Sequence, residues 1–268
     1  MDANAANLFH QRESWIPVQL ALHAERASLI EELKVYVALK MLCSGKIKAN
    51  SRLIKPLREH IGIKCRKTFK KHLNKLIALN WIGHNESSNY IFIRSYNRIC
   101  SQLEIPDKTY VWFETDSFRN FREFVFASIV CCKINHIKYA KQRNRRGNRL
   151  VPQYRVNGTN PSLPSTVFDY NGLSVHYISE LIGKSLSRCS ELRQAAHRAG
   201  FLITKQKYQK IDVFPKSRYI KDYLKEKYPT KHHRLKCRAI KNGENKGRIA
   251  ILEQLENEII PLIRFRKK

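Results

Sequence analysis

Residues 51–93 read SRLIKPLREHIGIKCRKTFKKHLNKLIALNWIGHNESSNYIFI, and this stretch decides the fold. Ser51 can cap a helix that carries Leu53, Leu57 and His60, and Gly62 closes it. Ile63 and Lys64 form a turn, and a second helix is expected from Arg66 to about Leu79. Asn80 can take the left-handed position at its end. Trp81-Ile82 and Tyr90 to Ile93 then flank the polar segment Gly83 to Asn89, which predicts a β-hairpin. Upstream, Leu29, Leu33, Tyr36, Val37, Lys40 and Met41 step by three and four, the period of a helix that stops at Ser44-Gly45. The first eighty or so residues after the amino terminus thus give helix, helix, turn, helix, hairpin.

The pattern returns in the second half. Phe121, Val125, Ile129, Cys132 and Ile137 mark a long helix from Phe118 to about Tyr139. Ser174 can cap a helix through Ile178, Leu181 and Ile182 with Gly183 at its end, and another runs from Ser187 to Ala199 with Gly200 as its cap. Phe201 to Ile203 and Ile211 to Phe214 are expected to pair across the basic turn Lys205 to Lys210. Ile61-Gly62 and Ile182-Gly183 precede their hairpins by nearly the same distance, as an internal duplication would give. After Phe214 the chain reads as basic and helical, ending in an amphipathic helix, Arg248 to Arg264, with Ile251, Leu255, Ile259 and Leu262 on one stripe.

Composition narrows the function. The 268 residues include 51 Lys and Arg against 22 Asp and Glu, a formal charge of +29, which calls for a polyanionic partner. With 43% hydrophobic residues the chain has the means to build ordinary cores and is not a charge-driven disordered polymer. The longest apolar run, Phe124 to Cys132, is far shorter than the roughly 20 residues of a membrane span. No secretory leader pattern is present at the start, and seven cysteines without framework spacing fit a reducing cytoplasm of a bacterium or phage host.

Arranged in this order, residues 15–94 and 118–214 resemble tandem winged-helix DNA-binding proteins, among them plasmid and phage replication initiators and bacterial winged-helix regulators. The segment Leu181 to Ser185 through Ala199 to Leu202 looks like the helix, Gly turn, recognition helix and wing of such regulators. The expected fold class is therefore α+β, mainly helical: two tandem winged helix-turn-helix domains with a basic helical C-terminal tail. Residues 1–27 form an N-terminal arm, 28–100 the first domain, 101–117 a linker, 118–214 the second domain with an Arg-rich insert at 141–172, and 215–268 the helical extension. The resemblance implies DNA binding.

At 100° per residue, Phe69, Leu73, Leu76 and Ile77 face inward, and Lys67, Lys71, Asn74 and Ala78 face outward. Lys supplies charge for phosphates or guanine acceptors, and Asn can bond bidentately to adenine. Arg66, Lys70, Lys64 and Lys75 are candidates for the backbone, and no acidic residue lies between His60 and Asn85. In the second unit Cys189, Leu192, Ala196 and Ala199 face inward. Ser187, Ser190, Gln194 and His197 face outward, flanked by Arg193 and Arg198, with Ser190 and Gln194 as base readers. Arg143, Arg145, Arg146 and Arg149 form a phosphate clamp, and Lys205 and Lys207 lie in the second wing.

The expected partner is duplex DNA, with RNA or single-stranded DNA as alternatives and a protein partner, or a second copy, for the C-terminal apolar stripe. Tyr208, Tyr219, Tyr223 and Tyr228 stand among lysines, where stacking on unpaired bases and core packing are both open readings. No catalytic role and no cofactor are expected: there is no phosphate-binding Gly loop, acidic residues are scattered, and the pairs Cys132/His136 and His233/Cys237 lie too far apart in sequence to read as a zinc site. The function expected is non-enzymatic DNA reading by an initiator or regulator, against coating or packaging without sequence preference, or RNA binding.

Overall fold

The structure is a computed structural model, described here for residues 8–43, 45–106, 108–147, 172–206, 208–214, 219–230, 235–254 and 257–267. It is mixed α/β with small antiparallel sheets. The described residues divide into two compact units, the first holding those up to 147 with 175–203 and 260–267, the second 172–174 and 204–259.

The first unit is organised around α2 (Ile30–Leu42), in which Leu33, Val35, Tyr36, Val37, Ala38, Leu39 and Met41 are all fully buried. A helix with apolar residues over most of its surface must be covered on most sides. Around it lie β2 (Lys46–Lys48), α3 (Ile54–His60), α4 (Arg66–Ala78), β3 (Ile82–Asn85) and β4 (Tyr90–Ile93). These match the helices and hairpin expected from residues 28–93. The short strand β2 was not foreseen, and the three strands form a sheet in the order β2-β4-β3, with Ile47 opposite Ile91 and Ile82 opposite Ile93. Buried Ile47, Ile82 and Ile91 form its inner face.

Helix α4 ends in two backbone bonds, Asn80 N to Ile77 O (2.9 Å) and Trp81 N to Leu76 O (3.0 Å), with Asn80 at φ +58°. This is the Schellman closure, and it requires a left-handed residue. Asn80 tolerates it because its side chain is held on both sides: Oδ1 accepts from the Arg94 guanidinium and Nδ2 donates to Gln102 on α5 (Tyr96–Gln102). Helix α8 (Leu186–Arg198) closes identically, Gly200 N to His197 O and Phe201 N to Ala196 O, with Gly200 at φ +78°.

The segments expected as an arm and a linker are structured. Within 1–27 lie β1 (Glu13–Pro17) and α1 (Val18–Arg26), with Ile16, Leu20 and Ala24 fully buried. Within 101–117 lies β5 (Thr109–Glu114), the middle strand of a sheet that has β1 on one side and a C-terminal strand, β11 (Phe265–Lys267), on the other. Phe113 of β5 meets Phe118, Phe121 and Phe124 at ring separations of 4.8–5.3 Å, and Phe9 stacks on Phe118. Burial of each such ring contributes about 1.5–3 kcal/mol. After a 3-10 turn (Thr115–Asn120), α6 (Phe121–Gly147) buries Phe121, Phe124 to Cys132 and Ile134 in its first half and runs on past Tyr139 into the basic segment. Helices α7 (Val175–Ile182) and α8 join α1 in the same unit, where Arg26 Nε donates to Leu181 O (2.8 Å) and Lys184 Nζ to Ser28 Oγ (2.9 Å).

The second hairpin and the helical tail are corrected by the structure. β6 (Leu202–Lys205) pairs with β10 (Glu258–Pro261), not with β7 (Tyr208–Phe214). Instead β7 pairs with β9 (Ile249–Gln254), which pairs on its other side with β8 (Leu235–Ala239). Only α9 (Ile220–Lys227) is helical among the described residues beyond 214, and β11 (Phe265–Lys267) pairs with β5. The stripe Ile251, Ile259, Leu262 satisfies a helical period, but the same segment is dense in β-branched Ile and has Pro261 where a helix interior would lose about 3 kcal/mol. Ile249, Ala250 and Ile251 offer β7 apolar partners opposite Phe214, Val213 and Asp212, and the β7 ladder shifts register between Lys210 and Asp212.

The second unit has its own polar centre. Asp212 accepts from Lys227 Nζ (2.6 Å), Tyr223 Oη (2.9 Å) and Tyr228 Oη (3.3 Å), and the Lys227 hydrogen bond, with a backbone bond from Val213 and the Tyr223 hydroxyl, holds its carboxyl down to about 2. Tyr223 also lies 4.2 Å from the Phe214 ring. Those tyrosines are therefore structural, whereas Tyr219 is exposed.

Removal of residues 263–267 is expected to uncover the β5 edge and lower the stability of the first unit by about 2–3 kcal/mol, roughly one per lost backbone bond. Urea unfolding followed by the fluorescence of Trp15, Trp81 and Trp112 reads this directly, since all three stand in that unit. An unchanged midpoint would contradict the pairing.

Candidate nucleic-acid interface

Helix α4 buries Phe69 and Leu76, half-buries His72 and Leu73, and turns Arg66, Lys67, Lys70, Lys71 and Asn74 to solvent. Ile77, expected inward, is exposed, because the apolar stripe is narrower than the wheel suggests. The rotation of the helix is set by a polar contact. Glu32 of α2, 5% exposed, bonds His72 Nδ1 at 3.1 Å and Lys75 Nζ at 3.2 Å. Burial pushes this carboxyl up, but the hydrogen bonds from His72, the backbone and Lys75 more than offset it, and the group sits below its ordinary range. Lys75 thus also ties α4 to α2, while its own side chain remains 45% exposed.

Lys64 precedes the helix and is exposed, its carbonyl accepting from Arg58 Nη1 (3.0 Å), which steadies the turn between α3 and α4. Lys64, Arg66, Lys67, Lys70, Lys71 and Asn74 therefore come together along one turn and one helix. Beside them the sheet turns an outer face to solvent: Lys46 and Lys48 of β2, Tyr90 and Phe92 of β4, and Gly83 of β3 share it through the register Lys46↔Phe92↔Gly83 and Lys48↔Tyr90. These residues escaped the sequence reading. The alternation Lys46-Ile47-Lys48 against Tyr90-Ile91-Phe92-Ile93 was the available signal.

On α8, Cys189, Leu192 and Ala196 are buried as expected, and Ala199 is half-buried. Ser187, Gln194, His197 and Arg198 are exposed, while Ser190 and Arg193 are half-buried. His197 Nδ1 donates to Leu202 O (3.2 Å), so its ring is partly engaged at the helix end. An acidic residue also stands on this surface, Glu191, bonded to Arg188 Nη1 at 2.8 Å. Arg143, Arg145 and Arg146 lie on the backbone of the last turns of α6, and Lys205 ends β6 as an exposed residue. Arg149, Lys207, most of the 141–172 insert and His233 lie outside the described residues.

Cys132 Sγ lies 4.0 Å from His136 Nε2, and no group of three or more metal-ligating side chains occurs among the described residues. No described helix is long and apolar enough to cross a membrane. No family profile, curated protein or solved structure matches the chain. The site therefore rests on its own chemistry: an acid-free, Lys- and Arg-rich helix face with one amide placed among the cations.

Because the Glu32 carboxyl is held below the unfolded value near 4.5, its contribution is complete at neutral pH and is lost as pH falls through the folded value. Glu32→Gln is expected to cost about 1–3 kcal/mol at pH 7 and to flatten the decline in stability between pH 5 and 3. Urea titrations at several pH values test this, and superimposable pH profiles would remove the clamp from the account.

Proposed function

We infer that the protein is a non-enzymatic duplex-DNA-binding protein, and that α2, β2, α3, α4 and the β3–β4 hairpin constitute a winged-helix module whose third helix, α4, enters the major groove. The observation that carries this reading is the outward face of α4, where Arg66, Lys67, Lys70 and Lys71 surround Asn74 with no carboxylate from residue 61 to 85. The strand order β2-β4-β3 behind it supports the same reading, because it packs a hairpin beside the third helix. Arg and Lys on a helix can neutralise phosphates, and the amide of Asn74 can pair with adenine N6 and N7.

Helix α8 is a second candidate reader through Ser190 and Gln194, favoured by its identical closure and by exposed Arg198. Its face is less basic than that of α4. The biological role that fits a basic, DNA-reading chain of this plan is a replication initiator or a transcription regulator of a mobile element or phage. All seven cysteines are free of disulfides, in keeping with action in a reducing cytoplasm.

Selection of bound duplexes from a random pool at about 150 mM salt is expected to enrich a motif. On that motif Asn74→Ala is expected to cost about 1–3 kcal/mol and on random duplex almost nothing. Lys67→Ala and Lys71→Ala should each flatten the dependence of log K on log salt by about 0.9. Tight, salt-sensitive binding without enrichment would replace sequence reading with coating or packaging.

A further inference from the structure

The outer face of the β2-β4-β3 sheet combines features that α4 binding to duplex does not require. Phe92 stands 43% exposed at its middle, an uncommon setting for a large apolar ring. Directly across the ladder is Gly83, so no side chain covers the ring from that strand. Tyr90, two residues away on the same face, has its ring centroid 6.5 Å from that of Phe92. Lys48 and Lys46 reach over Tyr90 at 5.7 and 6.0 Å.

At the Phe92 end the surface is concave. A cavity of about 510 Å3 is lined by Gly45, Gly83, Phe92, Arg94, Ser95 and Arg98, with no carboxylate among its lining residues. That volume lies within the range of about 300–1,000 Å3 that holds small organic ligands, and a nucleotide is of that size. Arg94, whose guanidinium also donates to Asn80 Oδ1, lines this cavity, and Arg98 is exposed at the rim. Two guanidinium groups with no carboxylate in the lining favour an anion.

We propose that this sheet face is a single-stranded nucleic-acid platform, on which unpaired bases stack against Phe92 and Tyr90 while Lys46, Lys48, Arg94 and Arg98 follow the phosphates. Unpaired bases are required because the faces of paired bases are hidden within the duplex stack, whereas an exposed ring on a flat sheet takes any base that is splayed out. The aromatic pair distinguishes the face from a merely solvated basic patch. The site stands on residues separate from the outward face of α4, and so a chain that grips duplex through α4 gains a place for a melted strand.

The test uses the full chain with a fluorescent oligo(dT) of about 20 nucleotides and, in parallel, a duplex of equal length. Phe92→Ala with Tyr90→Ala is expected to weaken oligo(dT) binding tenfold or more while duplex binding stays within twofold, and Phe92→Trp is expected to retain both. Lys46→Ala with Lys48→Ala should flatten the single-strand salt dependence by about 1.4, from about 0.7 per phosphate. Phe92 is exposed, and circular dichroism together with retained duplex binding reports that the variant is folded. No oligo(dT) binding by the intact chain, unchanged oligo(dT) binding by the aromatic variant, or an equal loss on both ligands would overturn the platform. Lys67→Ala, assayed on the same two ligands, reports on α4 alone, so the failure of one site is read apart from the failure of the other.

Discussion

A carboxylate buried beneath a basic helix governs the arrangement of the first unit. Glu32 sits buried on α2, a largely apolar helix, and a charge there is tolerable only if it is paired and hydrogen-bonded. His72 and Lys75, three residues apart on α4, meet that demand from one side of the helix. Once they point down, Phe69 and Leu76 go into the core and Lys67, Lys71 and Asn74 have only the solvent side left. The basic face is thus held at a defined roll, and its side chains do not spend entropy finding it.

Much of the first module was legible because each signal was local. Periods of three and four placed α2, α3 and α4, a single Asn after α4 marked its closure, and a polar segment between the apolar pair Trp81-Ile82 and the tetrad Tyr90 to Ile93 marked the hairpin. Arg66, Lys67, Lys70, Lys71 and Asn74 are exposed along α4, on the side away from Phe69 and Leu76. The pairing of Lys75 with Glu32 was not legible, because Glu32 is forty-three residues upstream and no local period reveals a long-range ion pair. Phe92 and Lys46 escaped for a similar reason: what unites them is a strand register, and register is settled by pairing across a sheet.

Beyond residue 200 the local signals conflict. The spacing of Ile251, Ile259 and Leu262 suits a helix, yet β-branched residues and Pro261 favour strands, and tertiary pairing decides. The same competition separates β6 from β7. Two short strands joined by a basic turn have little to hold them as an isolated hairpin, and β9 and β10 supply more apolar partners. Composition is silent about this exchange.

The pairing of β11 with β5 joins Phe265 to Val111, residues more than half the chain apart. A ribosome delivers β1 and β5 long before it delivers their third neighbour, and during that interval the backbone groups along one side of β5 have only water or another chain to bond. Nascent chains on the same message would present the same unfilled edge to one another. Synthesis rate and chaperone cover of that edge therefore become determinants of yield, and strand exchange between copies becomes the characteristic error of assembly.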